Sequence, residues 1–200
     1  MYQKGERRRE EILRATLRVI GAHGADAVTH RAVATEAGVP VSATTYYFAS
    51  RDELLQQTLL LAAHEETERL EGLVLELAPQ SLSAGDWAAA VAAQIASDIR
   101  EEPDKHVALF ELGLEATRTE VLRGELQRWQ DAHIRLAEMG CRAVGSEEPE
   151  LDARIVVAAL TGLMLEQLAS GREDFEHEVL RPALDRLFSR LAAGDRAAAV

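Results

Sequence analysis

The chain has 200 residues, of which 47% are hydrophobic, 28% charged and only 4% aromatic, and its formal net charge is -12. That length can bury a core in one large domain, or in a small domain beside a medium one. The single cysteine, Cys141, excludes an internal disulfide framework and a multi-cysteine zinc site, and no membrane-length apolar run or leader pattern is evident, so a cytoplasmic protein is expected.

The charge is unevenly spread. Residues 1–55 carry eight basic and seven acidic side chains, whereas the remainder carries 14 basic and 27 acidic ones. An acidic body attached to a near-neutral head permits nucleic-acid binding by the head and discourages it elsewhere.

The composition is rich in Ala, Leu, Glu and Arg, which favours helices throughout. A first helix is predicted from about Gly5 to His23, with Ile12, Leu13, Thr16, Leu17, Val19 and Ile20 forming its buried stripe and Gly24 ending it. Thr29 is a suitable N-cap for a short helix from His30 to Ala37, which Gly38 ends. Val39 precedes Pro40 and is pushed toward extended backbone, and a third short helix then fits Val41 to Tyr47. Ser50-Arg51-Asp52-Glu53 has the form of a capping box, so a long fourth helix starts there and can run to Leu77, since nothing breaks it before Pro79. Further helices are predicted near 83–101, 103–117, 119–144, 149–169 and 174–192, about nine in all, while the Ala-rich tail Arg196 to Val200 is expected to fray.

Two short helices joined at Gly38 have the helix-turn-helix arrangement, with Ala34 and Ala37 small enough for close crossing and Phe48 and Leu54 placed to anchor the unit. The Ala37-Gly38-Val39 turn, the Tyr47-Phe48 ending and the Ser50-Arg51-Asp52-Glu53-Leu54 start of the fourth helix resemble the DNA-binding signature of the tetracycline-repressor (TetR) family, over about residues 12–55. The resemblance implies an all-α fold: an N-terminal helix-turn-helix DNA-binding domain (1–50) and a larger helical ligand-binding and dimerisation domain (51–200). It also implies a bacterial regulator, expected to be a repressor, that binds a palindromic double-stranded DNA operator as a homodimer and is released by a small-molecule effector.

By position, the resemblance places Thr29 on a phosphate and Arg31 on a phosphate or a guanine edge. Val41, Ser42 and Ala43 fall where the family reads bases, and hydroxyls of Thr44, Thr45 and Tyr47 would meet phosphate oxygens. Arg51 would add charge at the start of the fourth helix. Pro40, Ser42 and Thr45 stand where the family commonly has Ser, Gly and Tyr; Thr45 shortens one reach, which Tyr46 or Tyr47 can compensate. The Arg7-Arg8-Arg9 run reads either as a solvated face or as a phosphate contact.

Beyond residue 55 no catalytic constellation, metal set or cofactor motif is evident. His64-Glu65-Glu66-Thr67-Glu68 lacks the second histidine of a metalloprotease helix, and Asp174 with His177 reads as a surface pair. Leu122, Leu126, Trp129, His133 and Leu136 form one helical stripe in which His133 is the polar member: either a core histidine or a hydrogen-bonding group in an apolar cavity. Trp87, Val91, Phe110, Leu114 and Met164 are candidates to line that cavity. The segment 149–169 is apolar nearly all round and needs covering, so a four-helix interface with the 174–192 helices of two subunits is expected. Two rivals remain open on the sequence: a helical enzyme or carrier that uses the cavity, and an adaptor whose helix-turn-helix binds protein.

Overall fold

The computed structural model describes residues 2–77, 80 and 82–193. Among these residues there is no strand, and nine α-helices follow one another: α1 (Tyr2–His23), α2 (His30–Ala37), α3 (Val41–Tyr47), α4 (Arg51–Leu77), α5 (Ala84–Glu101), α6 (Pro103–Glu115), α7 (Glu120–Ala143), α8 (Pro149–Ser170) and α9 (Arg181–Ala193). The expected breaker Pro79 and the tail Arg196–Val200 lie outside the described residues.

The sequence signals for helix ends act as anticipated. The Thr29 hydroxyl accepts from the amide of Ala32 at 3.1 Å. Gly38 adopts φ 64, ψ 36, a left-handed conformation that a side chain would strain. At the start of α4 the Glu53 amide donates to Ser50 Oγ at 3.1 Å, while the Glu53 carboxylate accepts from the amide of Ala49 at 2.6 Å.

Three boundaries differ from expectation. A 3₁₀ turn, Ala25–Ala27, follows α1. α6 stops at Glu115 because Thr117 folds back, its amide and hydroxyl both donating to the Leu114 carbonyl. The last predicted helix opens with a π turn, Glu176–Leu180, just before Pro182, which has no amide to offer the regular helical ladder.

The chain packs as two compact units. The first comprises the residues up to Glu66 together with Glu102–Trp129; the second comprises Thr67–Glu101 with the residues from Gln130 on. These units cut the chain differently from the division expected at residue 50, because α6 closes onto α1. At Gly21 a Cβ would lie 2.4 Å from the backbone oxygen of Asp104, so the two helices meet backbone to backbone. Lys105, in the first turn of α6, stands 3.0 Å from Glu102 and 3.7 Å from Glu65 of α4, and Glu65 also takes Arg14 of α1 at 2.7 Å. Ile12, Leu13, Ile20, Val33, Phe48, Leu54, Leu59 and Leu112 form the core of this unit.

The second unit centres on α5 and α9. Trp87, Ile95, Ile99, Leu180, Leu184 and Phe188 are buried there with Cys141 and Val156. Arg69 pairs with the buried Asp98, which also accepts from Gln94 at 2.8 Å. On α8 only Ala153 and Val156 are fully buried, while Leu151, Ile155 and Leu165 are 54%, 46% and 52% exposed. Contrary to the expectation of no membrane-length apolar run, α8 is long and apolar enough to cross a membrane by length and composition, with a mean hydropathy of 1.3.

Candidate nucleic-acid interface

The bend between α2 and α3 is held by main-chain bonds. Val39 donates to the Ala34 carbonyl at 2.9 Å and Gly38 to the Thr35 carbonyl at 3.2 Å, which satisfies the last turn of α2. Pro40, with φ -61, cannot cap α3 by its side chain; its carbonyl instead accepts from Ala43 at 2.9 Å.

α3 is two turns long, and its two faces differ sharply. Thr44 has no exposed surface, and Phe48, just beyond the helix, is 1% exposed. The Arg9 guanidinium lies 5.3 Å from the centroid of the Phe48 ring and donates to Gln57, so α1 and α4 grip the end of α3 together. On the other face Val41, Ser42, Thr45 and Tyr46 are exposed, with Ala43 and Tyr47 half-buried. The rings of Tyr46 and Tyr47 meet edge to face at 5.0 Å between centroids. A Cβ at Gly5 would stand 3.7 Å from the Tyr47 hydroxyl, so the early part of α1 lies beside that tyrosine. Thr29 and Arg31 are exposed at the start of α2.

Two assignments need correction. Thr44 faces inward, its hydroxyl donating to the Val41 carbonyl at 2.8 Å and lying 3.3 Å from both the carbonyl and Nδ1 of His30, so it does not present a hydroxyl to phosphate. Arg51 turns toward the 3₁₀ turn, donating to the Ala25 carbonyl at 3.0 Å, and is not displayed as a free charge at the start of α4. Tyr46, mentioned in the sequence only as a substitute for a shortened Thr45, is the most exposed large apolar-bodied side chain of α3, at 81%. The signal was its place one residue after an outward Thr45 on a helix whose next member, Tyr47, begins to turn inward.

The expected pocket residues divide between the units. Phe110, Leu114 and Trp129 belong to the first; Trp87, Val91, His133 and Met164 belong to the second. Trp87 is 2% exposed and its indole N–H has no hydrogen-bond partner, while Val91 and Met164 pack against the same core. Leu114 is 60% exposed, which corrects its assignment as an internal lining residue. The surface depressions beside α9, lined by residues such as Asp185, Arg186 and Arg190 and by Ser83, Asp86 and His177, include none of the seven. Asp174 and His177 do form an exposed pair at 2.7 Å, and this bond holds the Asp174 carboxyl below its ordinary range. Among the described residues no group of three or more potential metal ligands occurs.

Residues 12–58 match the family profile described as bacterial regulatory proteins, tetR family, and residues 82–190 match that of the tetracyclin repressor-like C-terminal domain. The chain belongs to the TetR family. This TetR-family chain is 37% identical over 76 residues to the HTH-type transcriptional regulator PksA of Bacillus subtilis (strain 168), a match that spans 38% of the chain and 37% of PksA. Among solved structures it resembles the multidrug binding protein EbrR complexed with ethidium, at 30% identity and TM-score 0.65, over 90% of this chain and 98% of EbrR. A TetR-family member from Streptomyces coelicolor A3 is similar at 29% identity and TM-score 0.70, over 90% and 97% of the two chains. A regulator structure from Pseudomonas aeruginosa PAO1 shares the fold at 20% identity and TM-score 0.77, over 94% and 91%. The helix-turn-helix of this TetR-family chain therefore lies within the matched N-terminal profile, and α5 to α9 within the C-terminal one.

Proposed function

We propose that this TetR-family chain is a cytoplasmic, ligand-responsive repressor that binds a palindromic operator as a homodimer and is released by a small, mainly apolar effector. The observation that carries the DNA reading is the division of α3: Thr44 and the adjoining Phe48 are buried, while Val41, Ser42, Thr45 and Tyr46 stand exposed on a helix small enough for a major groove. In this reading Val41, Ser42 and Ala43 meet base edges. Thr29, Arg31, Thr45 and Tyr47 hold phosphates and fix the register, with Tyr46 as an additional contact from α3.

Exposed apolar side chains on α8 support a self-complementary interface there, joined by the helix that follows. Two copies would then set their third helices in successive major grooves, roughly 34–36 Å apart. α4 enters both units and is suited to carry a change of state between effector and head. For the effector to act as a switch it must favour one state, because equal affinity for both shifts nothing. The EbrR structure with ethidium makes ethidium a reasonable first probe.

The test is a gel shift of the full-length chain on DNA from the region upstream of its own gene. Sequence-specific, salt-sensitive retardation that ethidium relieves is the expected result. Arg31→Ala or Tyr46→Ala should weaken it while leaving the helical circular-dichroism signal intact. Retardation of every DNA alike, or of none, would defeat the operator reading.

A further inference from the structure

The turn that joins α1 to α2 is fastened by one side chain from elsewhere in the first unit. Arg51, the first residue of α4, donates through Nη2 to the Ala25 carbonyl at 3.0 Å, and the same nitrogen lies 3.6 Å from the Asp26 carboxylate. Its Nη1 lies 3.6 Å from Oε1 of Glu115, the last residue of α6. The Glu115 side chain is only 12% exposed and accepts from the Thr119 hydroxyl at 3.2 Å, with Arg118 a further 3.9 Å neighbour. A planar guanidinium addresses two acceptors in fixed directions, whereas an ammonium is a single compact charge. Arg51 therefore ties α4, α6 and the 3₁₀ turn at one point. Thr29, the cap of α2, follows that turn by two residues, so the placement of α2, and of α3 beyond Gly38, begins there.

We propose that Arg51 is a positioning residue for DNA recognition, fixing the α1–α2 turn against Glu115 of α6, and is not a phosphate ligand. The inference rests on the operator reading above and deepens it, since resemblance alone would put Arg51 on the DNA backbone. The two roles differ in measurable ways. Removing a phosphate ligand lowers the slope of log affinity against log salt by about one, whereas removing a positioning residue leaves the slope alone. Lysine can replace arginine on a phosphate but cannot reproduce the fork that reaches Ala25 and Glu115 together.

The experiment uses the full-length chain, its R51K, R51A and E115Q variants, and the double variant R51K/E115Q. The probe is a duplex that the wild-type chain selects from a random-sequence pool. Affinity is measured over a potassium chloride series, and amide hydrogen exchange of residues 24–37 is measured without DNA. R51K and E115Q should each bind about tenfold more weakly with an unchanged salt slope, R51A should be no worse than R51K, and the double variant no worse than either single one. Exchange across 24–37 should rise in both single variants. Wild-type affinity in R51K, together with a slope reduced by about one in R51A, would overturn the proposal. If no duplex is selected, the operator reading fails, and exchange still decides this one: faster exchange in R51K and E115Q upholds the fastening, and unchanged exchange in both removes it.

Discussion

The hydroxyl of Thr44 donates to the carbonyl of Val41 at 2.8 Å from a side chain that has no exposed surface. Both the carbonyl and Nδ1 of His30 lie 3.3 Å from the same oxygen, so one hydroxyl braces the start of α2 against the middle of α3. Valine has nearly the same shape but no hydroxyl. Thr44→Val should therefore cost about 1 kcal/mol in urea denaturation and weaken operator binding without altering its salt slope, while Thr44→Ser should retain most of both. A Thr44→Val chain as stable as the wild type would show that the brace contributes nothing.

Gly21 and Gly72 should respond to alanine in opposite directions. A Cβ at Gly21 would stand 2.4 Å from the Asp104 oxygen and 2.9 Å from two further backbone atoms, which cannot swing aside as a side chain can. Gly21→Ala should lower stability by about 1–3 kcal/mol, the usual range for overpacking. At Gly72, inside α4, nothing lies within 4 Å of the added carbon. Gly72→Ala should raise stability by about 0.5–1 kcal/mol through the entropy of the unfolded chain and helix propensity. Denaturation midpoints measured side by side decide both, and a neutral Gly21→Ala would mean that the first turn of α6 can move off α1 at little cost.

What the sequence disclosed and what it hid follow from the range of the forces involved. Thr29, Gly38 and the Ser50–Glu53 box act on amides a few residues away, so their effect was readable directly. Thr44 and Thr45 are neighbours of the same type, yet one is buried and the other exposed, because each step along a helix turns the side chain by about 100°. A seven-residue helix is too short for an apolar pattern to fix that phase. The partners of Arg51 lie 26 and 64 positions away, at Ala25 and Glu115, and no local pattern announces them. The close meeting of Gly21 with Asp104 is equally non-local. For α8 the hydropathy was legible, but a helix apolar on all sides carries no mark of which face its own fold will cover.

Cys141 should be inert in the folded chain. Burial pushes its thiol from an ordinary 9.0 up to about 11, and the charges of Asp152 and Glu138 add to the effect. The thiolate is the reactive form, so alkylation by iodoacetamide at pH 8 should be slow in the native state and fast once denaturant is added. The same shift has a consequence for stability. The folded chain holds this proton more tightly than the unfolded one, so the contribution is complete below pH 9.0 and is lost as pH rises toward about 11. Cys141→Ser should flatten that part of the stability profile. Rapid native-state alkylation at pH 8 would contradict the burial of the thiol.

α8 provides the test of assembly. Leu165 and Ile155 are 52% and 46% exposed on this helix, so an arginine at either place has solvent to occupy and should leave the protomer folded. In a two-fold interface each substitution is met twice, and burying a leucine-sized side chain is worth about 1.5–3 kcal/mol. Leu165→Arg should therefore weaken the dimer by about a hundredfold or more, measured by sedimentation equilibrium, and operator binding should fall with it because both half-sites must be engaged. Leu75, 69% exposed on α4, serves as the control: Leu75→Arg should leave the dimer constant unchanged. An unaltered constant in Leu165→Arg would place the interface on another surface. Flotation of the wild-type chain with liposomes would instead assign the apolar face of α8 to lipid, and the dimer argument would lose its principal support.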